Sequence, residues 1–320
     1  MNRVERERWH QLLREGRAAA AALPPESPTR AVSTACWFDG LEASDPPSGS
    51  GFPPLLLHLS RLRPDQLTAF DADLTAVRAA MTAGGSRQEF LKFGQQFGEQ
   101  SARQWGAGMI EMGVQAHLIR ELDAGGVTVS PQLPNGRHAD AVVKLGERQI
   151  WIEISALSDD DAVIADFSTV RSVQAVTGDP YLDARRVYRK VFDKAAGTGN
   201  GTRSQLHPEQ PSIVVVGDAA WRSAGFRGLG FGWALDQLTD PSLRTDRSRA
   251  SLMAWLDHDF PGRADTALDS LDQLSALAVV GSDLGLIDFR VNTTADAAHK
   301  LRLQELDDLA GLLDARPSWR

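Results

Sequence analysis

The spacing of hydrophobic positions divides the chain into a helical first part and a mixed second part. Residues 3–22 alternate charged and apolar side chains, which predicts a surface helix. Residues 64–82 carry apolar residues three and four apart and predict a second amphipathic helix. Between them, residues 23–54 are rich in Pro, Ser and Gly, which is typical of a loop or linker. Residues 87–123 then predict a long helical segment.

After this segment the apolar runs become short, as in β-strands. Gly106 and Gly108 could split the long helical segment in two, and Gly125 with Gly126 suits its end. The later pattern predicts strands at 127–129, within 137–155, and at 212–216, 276–281 and 285–291. It predicts helices at 183–196, within 217–238, and from Thr293 or Thr294 to about residue 314.

The order of these elements favours an α/β fold with a mixed central sheet and flanking helices. From residue 99 it runs helix, three strands, helix, strand, which requires a helical crossover to a buried strand. We therefore predict a helical N-terminal region over residues 1–85 and an α/β domain over residues 86–320, whose core spans about 99–217.

The hairpin predicted within residues 137–155 contains the most informative chemistry. If Gly146 and Glu147 form a two-residue type II′ turn, counting back along the strands brings Asp140 opposite Glu153. Cβ atoms of such pairs lie about 4.5–5.5 Å apart, and like charges at that distance destabilise the pair unless a cation lies between them. Oxygen ligands suit Mg²⁺ or Mn²⁺, and one or two protein carboxylates commonly suffice for Mg²⁺. The hairpin therefore predicts a metal site at Asp140 and Glu153.

Composition narrows the class of protein further. The 320 residues carry a formal net charge of −8, so a nucleic-acid partner would need a local basic patch. The single cysteine, Cys36, excludes an internal disulfide framework and a thiolate metal cluster, and it favours a cytoplasmic protein. No stretch of about 18 apolar residues predicts a membrane span, and no secretory signal is recognisable at the N-terminus.

The hairpin and the element order resemble the PD-(D/E)XK restriction-endonuclease-like superfamily, over roughly residues 99–217. The resemblance implies a metal-dependent nuclease, with Asp140 and Glu153 as the metal-binding acids and Glu111, on the first core helix, as an accessory ligand. Two positions depart from the family pattern. Ala139 stands where the motif has proline, and Ser155 stands where it has the lysine that helps to activate water and stabilises negative charge.

A lysine from another element could replace the missing motif lysine. The chain has five lysines, and Lys144 is four residues along its strand from Asp140, about 13 Å away at ~3.3 Å per residue. Lys194 flanks the apolar stripe of the predicted 183–196 helix, as some superfamily members place their lysine, so its side chain could reach the sheet; Lys190 is a second candidate. Ser155 could still orient water, and His138 shares the Asp140 face.

The same helix is the best candidate for contact with DNA. Its polar face carries Arg185, Arg186, Arg189 and Lys190, a stripe that could bind backbone phosphates. Residues 1–85 and 218–320 would then set substrate choice or form a homodimer. An ordinary solvated, charged helix face is the other explanation of this stripe.

Simpler explanations exist for the other candidates too. Asp140 and Glu153 could be solvated acids on a one-sided hairpin, and Glu111 and Lys194 could be surface residues. Because Ser155 lacks a charge, a catalytically inactive nuclease-fold module that binds nucleic acid or protein is the main alternative function. A third possibility, a nucleotide loop at residues 225–232, lacks the Gly-x-Gly-x-x-Gly spacing and begins eight residues beyond the preceding strand.

Overall fold

A six-stranded mixed β-sheet with helices on both faces forms the centre of the protein. A computed structural model describes residues 3–35, 54–83, 102–157, 180–197, 204–218, 229–243, 245–281 and 283–319. The strands are β1 (Val127–Val129), β2 (Ala141–Leu145), β3 (Arg148–Leu157), β4 (Ser212–Asp218), β5 (Ala276–Val280) and β6 (Leu286–Val291). The predicted α/β class with a mixed sheet is confirmed.

Helices precede the sheet and also connect its strands. The described α-helices are α1 (Arg3–Ala22), α2 (Pro28–Ala35), α3 (Pro54–Leu59), α4 (Pro64–Ala83), α5 (Ala102–Gly126), α6 (Pro180–Ala195), α7 (Leu229–Thr239), α8 (Asp246–Asp259), α9 (Ala264–Asp269) and α10 (Leu303–Leu313). From α5 to β4 the described elements follow the predicted order of helix, three strands, helix and strand.

The strands lie in the sheet in their order along the chain. β1, β2 and β3 form an antiparallel meander, β4 and β5 run parallel to β3, and β6 closes the described sheet antiparallel to β5. Two-residue turns suffice for antiparallel neighbours, whereas parallel neighbours need a crossover, and α6 lies in the crossover from β3 to β4. This topology places α6 beside the carboxyl half of β3.

Two hydrophobic cores cover the two faces of the sheet. On one face α5 packs with alternate strand residues such as Ile152 and Ile154, and the same core continues into α1, α3 and α4. A Cβ atom added at Gly217 of β4 would lie 2.2 Å from Cγ2 of Ile110, so this glycine permits the close approach of α5. On the other face α6, α7 and α8 bury Val214 and Val216. The sheet is therefore buried on both sides at β4, as its continuous apolar run predicts.

The ion pair between Arg148 and Glu305 joins the hairpin to the C-terminal helix. Arg148, the first residue of β3, places Nη1 2.9 Å from Oε2 of Glu305 on α10. Its guanidinium also donates to the carbonyl oxygens of Ala298 and Lys300. Both side chains of the ion pair are largely buried, so the pair fixes the turn end of the hairpin against α10.

The prediction that the last helix begins at Thr293 or Thr294 is wrong, because the helix begins at Leu303. Buried Asn292 donates to the carbonyl oxygens of Leu271 and Leu274 and accepts from the backbone N of Thr294. These contacts hold the chain after Asn292 in turns and irregular structure, and the helix begins where the Glu305 carboxylate accepts a hydrogen bond from the backbone N of Arg302.

Two further local predictions are corrected. α5 continues without interruption through Gly106 and Gly108, since the packing of its buried face outweighs the low helix propensity of glycine. The segment 23–54, predicted as loop or linker, contains α2, on which Thr29 and Ser33 are buried. Residues 36–53 of that segment lie outside the described residues.

Candidate functional site

The hairpin has the predicted register. Leu145 pairs with Arg148, Val143 with Ile150 and Ala141 with Ile152. Gly146 has a φ of +60°, as the first central residue of a type II′ turn requires. The turn and the pairing predicted from the sequence are therefore confirmed, and Asp140 and Glu153 are the next residues beyond the last pair of the ladder.

Asp140 lies where β2 separates from β3. Its Oδ2 accepts a hydrogen bond of 2.6 Å from the backbone N of Ile154, so its side chain extends the pairing between the two strands. Its backbone oxygen accepts from the backbone N of Ser130 and from Nε2 of Gln115. Three elements thus fix Asp140, and its carboxylate lies against β3 at the peptide that joins Glu153 to Ile154.

Lys194 reaches this point from α6, which packs on the face of the sheet that Glu153 shares with Val214. Its Nζ lies 2.7 Å from Oε2 of Glu153 and 3.5 Å from Oδ2 of Asp140. The Glu153 side chain is 1% exposed and that of Lys194 is 15% exposed, so the ion pair is largely shielded from water. The prediction that Lys194 reaches round its helix to the two acids is confirmed as geometry.

Glu111 and Gln115 approach the same acids from α5. Nε2 of Gln115 donates to Oε1 of Glu111 at 3.4 Å and to the backbone oxygen of Asp140 at 3.0 Å. Burial raises the pKa of Glu111 to about 8, and the negative charges of Asp140 and Glu153 act in the same direction, against the opposing charge of Lys194. The expected accessory acid thus lies in the same electrostatic environment as the hairpin acids.

The cluster contains more acids than one lysine can neutralise. Burial raises the pKa of Glu153 to about 8 despite the opposing charge of Lys194. Burial acts to lower the pKa of Lys194, but the charges of Asp140 and Glu153 outweigh it and raise that pKa. Lys194 therefore stays protonated, and Glu111 and Glu153 hold their protons to higher pH than ordinary carboxyl groups do. A bound cation would take the place of those protons.

Glu111, Asp140 and Lys194 line a cavity of about 680 Å³, and the buried Glu153 lies behind Lys194 and Asp140. Ser155 and His138 line it, as do Arg137 and Lys190. Nδ1 of His138 lies 2.8 Å from the backbone oxygen of Ser130, so this ring nitrogen is held by the loop before β2 and not by the acids. Ser155 is half-buried on β3, two residues beyond Glu153. Both expected water-orienting residues, Ser155 and His138, therefore line the cavity. Nδ1 of His138 already has the backbone oxygen of Ser130 as its partner.

The residues of the cluster fit a hard divalent cation. Oε1 of Glu153 and Oε1 of Gln115 are buried and have no hydrogen-bond partner among the described residues. Buried oxygen atoms without partners are costly, and a cation with its waters would satisfy them. No group of three or more His, Cys, Asp or Glu in the described part of the chain is arranged to hold a metal ion directly. A site with two carboxylates and several waters, common for Mg²⁺, does not need such a group.

A basic stripe on α6 leads to this cavity. Arg185 and Arg189 are exposed, and Arg186 and Lys190 are half-buried. Arg186, Lys190 and Lys194 follow each other at intervals of four residues, so they lie along one side of the helix. The expected nucleic-acid-binding residues therefore share a helix with the lysine of the acid cluster, and Lys190 itself lines the cavity.

Sequence reasoning missed several cavity residues, among them Gln115 and Arg137. Gln115 follows Glu111 by four residues on a helix, a spacing that places both side chains on one face and could have identified it. Arg137 precedes the hairpin in an irregular loop, where spacing carries no such information. Its positive charge acts on Glu153 by lowering the pKa of that acid.

The residues of the alternative nucleotide loop are only partly described. Residues 225–228 lie outside the described part of the chain, and residues from Leu229 onward form α7. Cys36 also lies outside it.

Comparisons with protein-family models, with curated proteins and with solved structures gave no match. Within the described residues, no helix combines the length and apolar character needed to cross a bilayer.

Proposed function

We propose that the protein is a metal-dependent nuclease that hydrolyses phosphodiester bonds, with DNA as its substrate. The observation that carries this proposal is the position of Lys194, which contacts Glu153 and Asp140 from a helix distant in sequence. The chain lacks a lysine at residue 155, where the resemblance to restriction-endonuclease-like enzymes would place one. Lys194 supplies a positive charge at the same two acids.

The architecture around the cluster supports the proposal. Asp140 immediately precedes β2 and Glu153 lies on the adjacent β3, with Glu111 on the preceding helix and Lys194 on the following one. This is the arrangement expected from the resemblance to the PD-(D/E)XK superfamily. Because the cluster is buried, few water molecules compete for its charged groups. The electrostatic interactions that phosphate chemistry requires are therefore stronger.

Each residue of the cluster would have a distinct part in hydrolysis. Asp140 and Glu153 would hold Mg²⁺ or Mn²⁺, with Glu111 as an accessory ligand, and the ion would activate water and neutralise phosphate charge. Lys194 would stabilise the negative charge that develops on the phosphate. Ser155 would orient the attacking water through its hydroxyl group.

The basic stripe on α6 would hold the substrate backbone. An acidic protein needs a local concentration of positive charge to bind DNA, and Arg185, Arg186, Arg189 and Lys190 provide one beside the cavity. Arg137 stands on the cavity wall as a further cation. The stripe would guide the phosphate chain toward Lys194.

The proposal predicts that Asp140→Ala and Glu153→Ala each remove most of the nuclease activity. Because each substitution removes an ion ligand, we expect losses on the order of 10²-fold or more in cleavage of labelled DNA with Mg²⁺ or Mn²⁺. Glu147→Ala, in the exposed hairpin turn, is the matched control and should cleave as wild type does.

The same assay separates the proposal from its main alternative. Unchanged cleavage in both variants would show that the acids are not the active site. A wild-type protein that is folded but neither cleaves DNA nor binds Mg²⁺ in calorimetry would favour an inactive nuclease-fold module, in which the ion pair of Lys194 and Glu153 is purely structural.

A further inference from the structure

The side chain of Gln115 uses its amide nitrogen in hydrogen bonds but leaves its amide oxygen without a donor among the described residues. It is fully buried on α5, and its Nε2 donates to Oε1 of Glu111 and to the backbone oxygen of Asp140. The backbone oxygen of Asp140 can only accept, so the amide nitrogen must face it and the amide oxygen must face away. That oxygen, Oε1, has no partner among the described residues. The orientation of the amide is thus determined by its neighbours, at the cost of an unsatisfied oxygen.

A buried carbonyl oxygen without a partner needs a donor or a cation. Gln115 lines the same cavity as Glu111, Asp140 and Lys194. Oε1 of Glu153, the other unsatisfied oxygen of the cluster, belongs to a proposed ion ligand. Mg²⁺ and Mn²⁺ bind through oxygen, and Mg²⁺ in particular keeps several waters, which are strong hydrogen-bond donors. A hydrated cation in the cavity would therefore satisfy the oxygen of Gln115.

We infer that Gln115 is a positioning residue for a hydrated divalent cation, with Oε1 accepting a hydrogen bond from the water shell of the ion. The inference rests on the proposed metal-dependent function and adds a residue to it. Gln115 also orients Glu111 through Nε2, so one side chain links the accessory acid to the ion's waters. Replacing a residue that orients metal ligands or waters typically changes the metal affinity about 10- to 100-fold.

The test compares Mn²⁺ affinity with stability in the absence of metal. The full-length protein is stripped with EDTA, desalted and titrated with Mn²⁺ by calorimetry. Gln115→Met keeps the length of the side chain but removes both polar atoms, and we expect it to weaken Mn²⁺ binding about 10- to 100-fold. Its midpoint of urea unfolding in EDTA should stay close to that of wild type, because the backbone oxygen of Asp140 keeps the bond from Ser130.

A second substitution tests which atom of Gln115 matters. Gln115→Glu keeps an acceptor oxygen but loses the amide donor, so we expect Mn²⁺ binding at least as tight as in wild type. Gln132→Met makes the same chemical change as Gln115→Met at an exposed glutamine that does not line the cavity, and it should bind Mn²⁺ normally.

Several results would overturn the inference. Gln115→Met with wild-type Mn²⁺ affinity would contradict it, and so would Gln115→Glu if it lost affinity as strongly as Gln115→Met does. In both cases Mn²⁺ binding by wild type would leave the proposed function standing. If wild type itself takes up no Mn²⁺, the proposed metal site fails and the role of Gln115 fails with it.

Discussion

Lys194→Met is expected to reduce DNA cleavage by about 10²–10³-fold, because a single group that stabilises charge in the transition state typically contributes that much. The positively charged side chain of Lys194 directly contacts both Asp140 and Glu153. Methionine retains most of its length but cannot stabilise negative charge. Mn²⁺ binding should persist in this variant, since the three acids remain. Single-turnover cleavage and calorimetry together would separate a loss of catalysis from a loss of metal.

Two further variants make this test specific. One removes a different lysine as a control, and the other moves the lysine to a new position. Lys144→Met removes an exposed lysine from β2 and should cleave as wild type does. Adding Ser155→Lys to Lys194→Met returns a lysine to the position that the resemblance implies, two residues after Glu153, and should restore part of the activity. A Lys194→Met variant that cleaves at the wild-type rate would remove Lys194 from the mechanism.

In EDTA, the free energy of unfolding is expected to fall as pH rises from about 4.5 to about 8. The pKa of Glu111 and that of Glu153 are each raised from 4.5 to about 8 by burial. Acids with raised pKa values favour the folded state fully below their unfolded pKa. That contribution is lost as pH rises from about 4.5 through about 8, because the unfolded chain ionises first. One acid shifted this far corresponds to a loss of up to about 5 kcal/mol.

Divalent cations should oppose this loss. A cation binds the ionised acids, so Mg²⁺ affinity should increase with pH, binding should release protons, and saturating Mg²⁺ should flatten the pH dependence. Urea unfolding at a series of pH values measures these effects. Glu153→Gln should weaken the pH dependence in EDTA, whereas Glu147→Gln in the exposed turn should not change it. A stability profile that is flat over this range in EDTA would contradict the raised pKa values.

The hairpin could be predicted closely because its information is local. Alternation of side chains along strands and a glycine at the first turn position fix which residues pair. Lys194 could be predicted because it flanks a continuous apolar stripe, which determines the side of α6 that faces the sheet. In both cases a regular period along the chain fixes the direction of the side chain.

Features that depend on tertiary contacts could not be predicted. The start of α10 depends on buried Asn292, whose partners Leu271 and Leu274 are about twenty residues earlier in the chain. α5 runs through two glycines because its face is buried against the sheet and α4. The unsatisfied oxygen of Gln115 depends on the backbone of Asp140, which approaches only in the folded protein. The intrinsic helix propensity of a residue does not depend on any of these distant neighbours.

The position of a bound divalent cation tests the central claim most directly. Crystals grown with Mn²⁺ at pH 8 or above would reveal the ion by its anomalous scattering. The proposed function predicts a peak at the cluster, with carboxylate oxygens of Asp140 and Glu153 about 2–2.5 Å from the ion and Gln115 facing its waters. A map at saturating Mn²⁺ with no peak at these acids, and with Lys194 still paired with Glu153, would contradict the proposal.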